Sequence, residues 1–177
     1  MKILKKAALH SEREEIQTLK ECKVTDILKI IFVDNIRDLG RALEIRDQVF
    51  VKGQGVDSVL ENDGLDSIQD IHNGNAVVIL ALLDQQPIGT ARMIISRSEK
   101  IIGKVGRVSI LEQFRKNGYG NMLMEVLHDY AKKNNFDKLI LHAQLDVVPF
   151  YIKLGYAEEG ADFLEADIWH KKMYLKF

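Results

Sequence analysis

Gly106–Asn121, GRVSILEQFRKNGYGN, decides how the rest of the chain is read. An apolar run from Val105 to Leu111 ends in the turn Arg115-Lys116-Asn117-Gly118-Tyr119-Gly120, and an amphipathic segment follows at once. A strand, a glycine-containing turn and a helix N-terminus together aim backbone N–H groups at one point, which suits an anion and above all a phosphate. Two common phosphate cradles do not fit. The third glycine of a dinucleotide-binding turn would fall at Leu123, and the chain lacks the alternating βα units of a doubly wound sheet. No Gly-Lys-Ser/Thr follows the turn, so it is not a P-loop.

Downstream, Tyr119, Met122, Leu123, Val126, Leu127 and Tyr130 recur at i, i+3, i+4 spacing and predict a helix from about Gly118 to Asn134. Lys138 to Ala143, KLILHA, reads as a strand, and strand, helix, strand implies a parallel neighbour joined by a crossover helix. Asp146 can cap a short helix with Pro149 in its first turn and Gly155 as its terminator. Tyr156 to Phe163 and Trp169 to Phe177 are two final strands.

Upstream, Ala76 to Leu83 and Ile88 to Ile95 predict an antiparallel hairpin about Asp84-Gln85-Gln86-Pro87, with a second turn at Arg97 to Lys100. Asp26 to Val33 carries a β-branched strand signal, and Asn35 then caps a helix. Ile36, Leu39, Leu43, Val49 and Phe50 carry that helix to Phe50. Gly53, Gly55 and Glu61 to Gly74 read as a long loop or short irregular helices, a length uncommon in a compact domain unless it is functional. Met1 to Lys23 is highly charged, and Ser11 with Glu14 resembles a capping box.

The 177 residues fit one domain, with residues 1–25 as an extension and 26–177 as the domain proper. The hydrophobic fraction is 46% and the charged fraction 29%, those of an ordinary globular chain. A net charge of −1 gives no basic field for nucleic acid. The single cysteine, Cys22, cannot form an internal disulfide and fits a reducing compartment. No apolar run spans a membrane, so a cytoplasmic protein is expected. The histidines are scattered, and no metal site is expected.

The turn has the form Arg115-x-x-Gly118-x-Gly120. In its setting, Val105 to Tyr156 resembles the acetyl-CoA-binding core of the GNAT N-acetyltransferase superfamily. A second stretch, Gln144-Leu-Asp-Val-Val-Pro-Phe-Tyr-Ile-Lys-Leu-Gly-Tyr, is similar to the family pattern Asn-x-x-Ala-x-x-Phe-Tyr-x-Lys-x-Gly-Phe. Phe150, Tyr151, Lys153, Gly155 and Tyr156 match, while Gln144 and Val147 replace Asn and Ala. Arg46-x-x-Val49-Phe50-Val51-x-x-Gln54 and Glu61-x-Asp63-x-x-Asp66 extend the resemblance to the ElaA-like branch. So do His142-Ala143-Gln144 and Phe163-x-Glu165-x-x-Ile168-x-His170-x-x-Met173, although Gly53 stands where that branch carries Glu.

The resemblance implies an α/β fold of mixed α+β character, with a central mixed sheet of six to seven strands flanked by about four helices. It implies acetyl-CoA as co-substrate, held by the backbone of Val108, Ser109 and Ile110 and by Arg115, Lys116, Asn117, Gly118, Tyr119, Gly120 and Asn121. Gln144, Phe150 and Lys153 would complete the cofactor contacts. Tyr151 becomes the candidate general acid for the departing thiolate, whose ordinary pKa is about 8.5.

An amine must be neutral to attack, so a base is expected. Candidates are Glu61, Asp63, Asp66, Glu165, Asp167, His72, His142 and His170, with Glu61 and His142 foremost. Arg46, Asp63 and His170 are the candidates for acceptor contact. Two functions stay open: an N-acetyltransferase acting on a small-molecule or protein amine by direct attack, and a CoA-binding sensor or interaction module of the same fold. Exposed edge strands make a homodimer an expectation.

Overall fold

The structure is a computed structural model that describes residues 27–65 and 67–177. The extension 1–25, with Ser11, Glu14 and Cys22, and the base candidate Asp66 lie outside the described residues.

Seven strands form one sheet: β1 (Leu28–Phe32), β2 (Ala76–Leu83), β3 (Gln86–Arg97), β4 (Ile101–Ile110), β5 (Lys138–Gln144), β6 (Ala157–Glu165) and β7 (Ile168–Lys176). Among the described residues five α-helices accompany them, where about four were expected: α1 (Ile36–Arg46), α2 (Ser58–Glu61), α3 (Ile68–His72), α4 (Tyr119–Lys133) and α5 (Val148–Lys153). The spatial order is β1-β2-β3-β4-β5-β7-β6. Only β4 and β5 are parallel, joined through α4 as the strand–helix–strand reading predicts.

β2 shows why the sheet sits where it does. Its sequence AVVILALL is apolar throughout because both of its faces are covered. Val77, Ile79 and Ala81 pack with Leu123, Met124 and Leu127 of α4, whereas Val78, Leu80 and Leu82 pack with Leu39, Ala42 and Ile45 of α1. Burying each such Leu or Ile contributes about 1.5–3 kcal/mol, and the two layers together fix the three-tier sandwich. β5 differs. Leu139, Leu141 and Ala143 face α4, while His142 and Gln144 alternate to the other face and are only half-buried.

Local chemistry explains most boundaries. Asn35 accepts from the Asp38 amide and starts α1. The β2–β3 hairpin turns on Asp84 and Gln85, both at positive φ, and is tighter than the four residues expected. Gly155, at φ 90°, stops α5. Two boundaries differ from expectation. The helix predicted to reach Phe50 continues past Arg46 as a π-helical turn over Asp47–Lys52, with Ile45 and Val49 both on the buried face. Asp146 does not cap α5; it lies inside a 3₁₀ turn, Leu145–Val147, and α5 begins with Pro149 in its first turn and no side-chain cap.

Candidate active site

The parallel β4–β5 ladder runs only from Ile102↔Lys138 to Val105↔Leu141. Beyond it the strands part. Gly106 to Ile110 stay paired with β3, and His142 to Gln144 stay paired with β7. Each diverging strand therefore has one ladder partner, and the edge of β4 that faces the gap presents N–H and C=O groups without a strand partner. Where the strands part, β4 carries a bulge: Thr90 pairs with Ser109 and Arg92 with Gly106, so Ala91 alone spans Arg107 and Val108. Arg107 sits there at φ 55°, in the left-handed region.

The Arg115–Gly120 turn lies beyond the end of the same strand. Arg115 Nε donates to the Ile110 carbonyl at 3.0 Å. Asn117 Nδ2 donates to the carbonyls of Phe114 and Arg115, both at 3.2 Å, and closes the turn from within. Lys116 and Gly118 adopt φ 66° and 82°. Gly118 is the N-cap of α4 and offers no side chain, and no acidic residue occupies the first turn. The first amides of α4, at Tyr119, Gly120 and Asn121, therefore keep their donors and the positive end of the helix dipole for an outside anion. A Cβ on Gly120 would lie 3.6 Å from the Phe150 ring, so the two sequence motifs meet there. Lys153, on α5, is exposed.

Tyr151 is buried beside Phe150 and Tyr156, with ring centroids 4.9 and 5.7 Å away. Burial pushes its hydroxyl up to about 12. Gln144 does not stand alone at the end of β5. Its side-chain amide exchanges hydrogen bonds with Gln54, Nε2 to Oε1 at 3.0 Å one way and 3.4 Å the other.

On the face of β5 opposite α4, His142 Nδ1 lies 2.7 Å from Glu165 Oε2. A carboxylate only accepts, so Nδ1 carries the proton and Nε2 is the free lone pair of the neutral ring. Partial burial raises Glu165, but the hydrogen bond from His142 and the neighbouring His142, Lys104 and His170 together outweigh it, and the carboxyl stays below its ordinary range. Phe163 meets the His142 ring edge-on at 4.8 Å and stacks on His170 at 6.0 Å. His170 Nδ1 donates to the Ile168 carbonyl at 2.8 Å.

The remaining candidates form a network of charges. Arg46 and Glu61 are ion-paired and buried, and Arg46 Nη2 also donates to the Glu61 carbonyl at 2.9 Å. Glu61 Oε2 lies 2.7 Å from Arg107 Nε. Asp63 takes a two-pronged bond from Arg92, at 2.7 and 2.6 Å. Partial burial opposes ionisation of Asp63, but the Arg92 fork, the Leu65 amide and Arg107 prevail and hold it at about 2. Arg92 and Arg107 were not among the residues picked from sequence; the available signal was a charged residue inside an otherwise apolar strand. His72 and Asp167 stand elsewhere: His72 Nε2 is 2.8 Å from the Asp34 carbonyl, and Asp167, at φ 59°, turns the β6–β7 hairpin.

The seven-stranded sheet with its parted parallel pair has the fold of solved acyltransferases, among them a Pseudomonas aeruginosa acyl-CoA N-acyltransferase that superposes with a TM-score of 0.70 at 26% identity over 84% of this chain and 99% of its own. The chain belongs to the GNAT acetyltransferase family: the model of the acetyltransferase (GNAT) domain matches residues 52–177. A protein of Bacillus subtilis (strain 168) carrying an acetyltransferase name is 35% identical over 137 residues, 77% of this chain and 88% of its own. YjcF of the same strain, named as an uncharacterized N-acetyltransferase, is 32% identical over 147 residues, 82% and 98% of the two chains. Among solved structures, Escherichia coli ElaA superposes with a TM-score of 0.73 at 22% identity, over 84% of this chain and 99% of its own. A Clostridium acetobutylicum acetyltransferase structure with acetyl-CoA superposes with a TM-score of 0.63 at 20% identity, over 78% and 95%. Among the described residues no helix is long and apolar enough to cross a membrane.

Proposed function

We propose that this protein is an acetyl-CoA-dependent N-acetyltransferase of the ElaA-like branch, its domain spanning residues 26–177, that acetylates a primary amine by direct attack. The observation that carries this reading is the coincidence of the unpartnered β4 edge with the uncapped start of α4. The first offers strand-like pairing to an amide-bearing arm, the second offers donors to a pyrophosphate, and the two lie end to end. The residues present therefore fit acetyl-CoA, with Val108, Ser109 and Ile110 along the arm and Arg115 to Asn121 at the phosphates. When bound, acetyl-CoA supplies a thioester whose carbonyl carbon is open to a neutral amine.

His142 is assigned as the base. Its Nε2 takes the proton from the acceptor nitrogen, and Glu165 holds Nδ1–H so that Nε2 keeps its lone pair. Glu61 suits that task poorly, because both of its carboxylate oxygens are engaged by arginines. Tyr151 is assigned to the leaving sulfur. With its hydroxyl at about 12 and a thiol near 8.5, full proton transfer would run uphill by roughly 5 kcal/mol. Hydrogen-bond donation to the developing thiolate is the role its environment supports.

The test is thiol release from acetyl-CoA across a panel of primary amines, with CoA-dependent thermal protection measured beside it. Amine-dependent release is expected. Protection without release would favour the CoA-binding sensor instead, and no protection at all would remove the cofactor assignment.

A further inference from the structure

We propose that Arg107 is a positioning residue: clamped by the Ser58–Asp63 segment, its side chain holds the β4 bulge and so fixes the backbone of Val108 at the parting of the strands. The inference rests on the reading of that edge as the acyl-donor site.

Three observations carry it. The first is conformational. Arg107 occupies the left-handed region at φ 55°, a conformation that residues with a side chain rarely adopt within a strand. Such a conformation persists only where the surroundings over-determine it. The second is the set of contacts that does so. Arg107 Nη2 donates to the carbonyls of Leu60 and Glu61, both at 3.0 Å, and to Asp63 Oδ2 at 3.4 Å, while Nε lies 2.7 Å from Glu61 Oε2 as an ion pair whose N–H is not aligned for a hydrogen bond. Those partners are themselves held, Glu61 by Arg46 of α1 and Asp63 by the Arg92 fork on β3. The third is place. Val105↔Leu141 is the last β4–β5 pair, and the bulge follows two residues later. The clamp therefore acts on the peptide units that open the cleft, while the rest of β4 is held by its ladders.

A lysine cannot replace this fork. It offers one compact charge, where the planar guanidinium places Nη2 on two carbonyls and Nε beside the Glu61 carboxylate at once. Read as the donor that polarises the thioester carbonyl, the Val108 amide costs rate rather than binding when it is loosened, since an interaction made only in the transition state acts on kcat.

The experiment compares Arg107→Lys and Arg107→Gly with the wild-type chain. Glycine accepts the left-handed bulge without a Cβ but has no clamp, so it separates backbone strain from side-chain tethering. Both variants are expected to lose kcat about 30- to 100-fold, with KM for acetyl-CoA within about threefold and CoA-dependent thermal protection retained. Amide hydrogen exchange at Val108 and Ser109 should accelerate in both, with exchange in β2 unchanged. Wild-type kcat in Arg107→Gly would overturn the proposal, because the bulge would then hold itself. So would a parallel fall of kcat, CoA affinity and melting temperature, which a merely structural role predicts. If the wild-type protein releases no thiol with any amine, the transferase reading fails separately, and the exchange measurement alone decides the clamp.

Discussion

Glu165 reaches from the β6–β7 hairpin to within 2.7 Å of His142 Nδ1 on β5, across the strand that lies between them. A carboxylate that fixes one imidazole nitrogen leaves the other oriented, and the edge-on Phe163 ring limits the tilt of the imidazole. His142→Ala should lower kcat about 10²–10⁴-fold with little change in KM for acetyl-CoA, as removal of a general base does. Glu165→Gln should cost less, because it leaves the imidazole in place but removes the carboxylate that orients it. Steady-state thiol release checks both; an unchanged kcat in His142→Ala would move the base elsewhere.

Tyr151 keeps its proton across any practical assay range, since burial holds it at about 12. The alkaline side of the kcat profile should therefore show no loss from its ionisation below that value. A hydrogen bond to a charged group is worth about 1.5–3 kcal/mol, so Tyr151→Phe should slow turnover roughly 10- to 150-fold. A variant indistinguishable from wild type would leave Tyr151 as a packing residue.

Gly89 pairs with Ile110 of β4, beside the edge proposed to hold the cofactor, and leaves no room there for a side chain. A Cβ there would sit 2.3 Å from Ile110 Cδ1 and 2.9 Å from the Ser109 carbonyl oxygen, and backbone cannot rotate away. Gly89→Ala should destabilise the fold by about 1–3 kcal/mol and weaken CoA-dependent thermal protection, because Ser109 and Ile110 must move. Denaturant melts with and without CoA read both effects. A variant with unchanged protection would separate this edge from the cofactor.

His128 Nε2 lies 3.0 Å from the Tyr156 hydroxyl in the core. Burial, reinforced by the charge of Lys132, lowers the His128 pKa from its ordinary 6.5. Below 6.5 the unfolded chain binds a proton that the folded chain refuses. Stability from this group is thus complete above 6.5 and falls as pH drops towards the lowered folded value. His128→Leu should flatten the melting-temperature profile in that window, read by calorimetry from roughly pH 5 to 8. An equally steep profile in the variant would assign the slope to other groups.

Much of this was legible along the chain. The Arg115–Gly120 turn, the helix after it, the parallel return at Lys138 and the glycine stop at Gly155 all depend on glycine backbones and on periods of 2 or 3.6 residues. The apolar run Ala76–Leu83 likewise announces a strand covered on both faces. The π-helical turn at Asp47–Lys52 was hidden, because an extra residue in a helix changes the phase of the pattern without a residue type to mark it.

The sequence by itself determined the turn and helix start on which the proposed donor site rests, since consecutive amides take their directions from local φ and ψ. Only the tertiary structure decided the other side. Gln54 meets Gln144 from 90 positions away, Arg107 meets Glu61 from 46 and His142 meets Glu165 from 23. Such pairs carry no spacing of their own. They exist because the sheet order places β7 beside β5 and β6 beyond it, and because Arg107, at the bulge in β4, reaches Leu60 and Glu61.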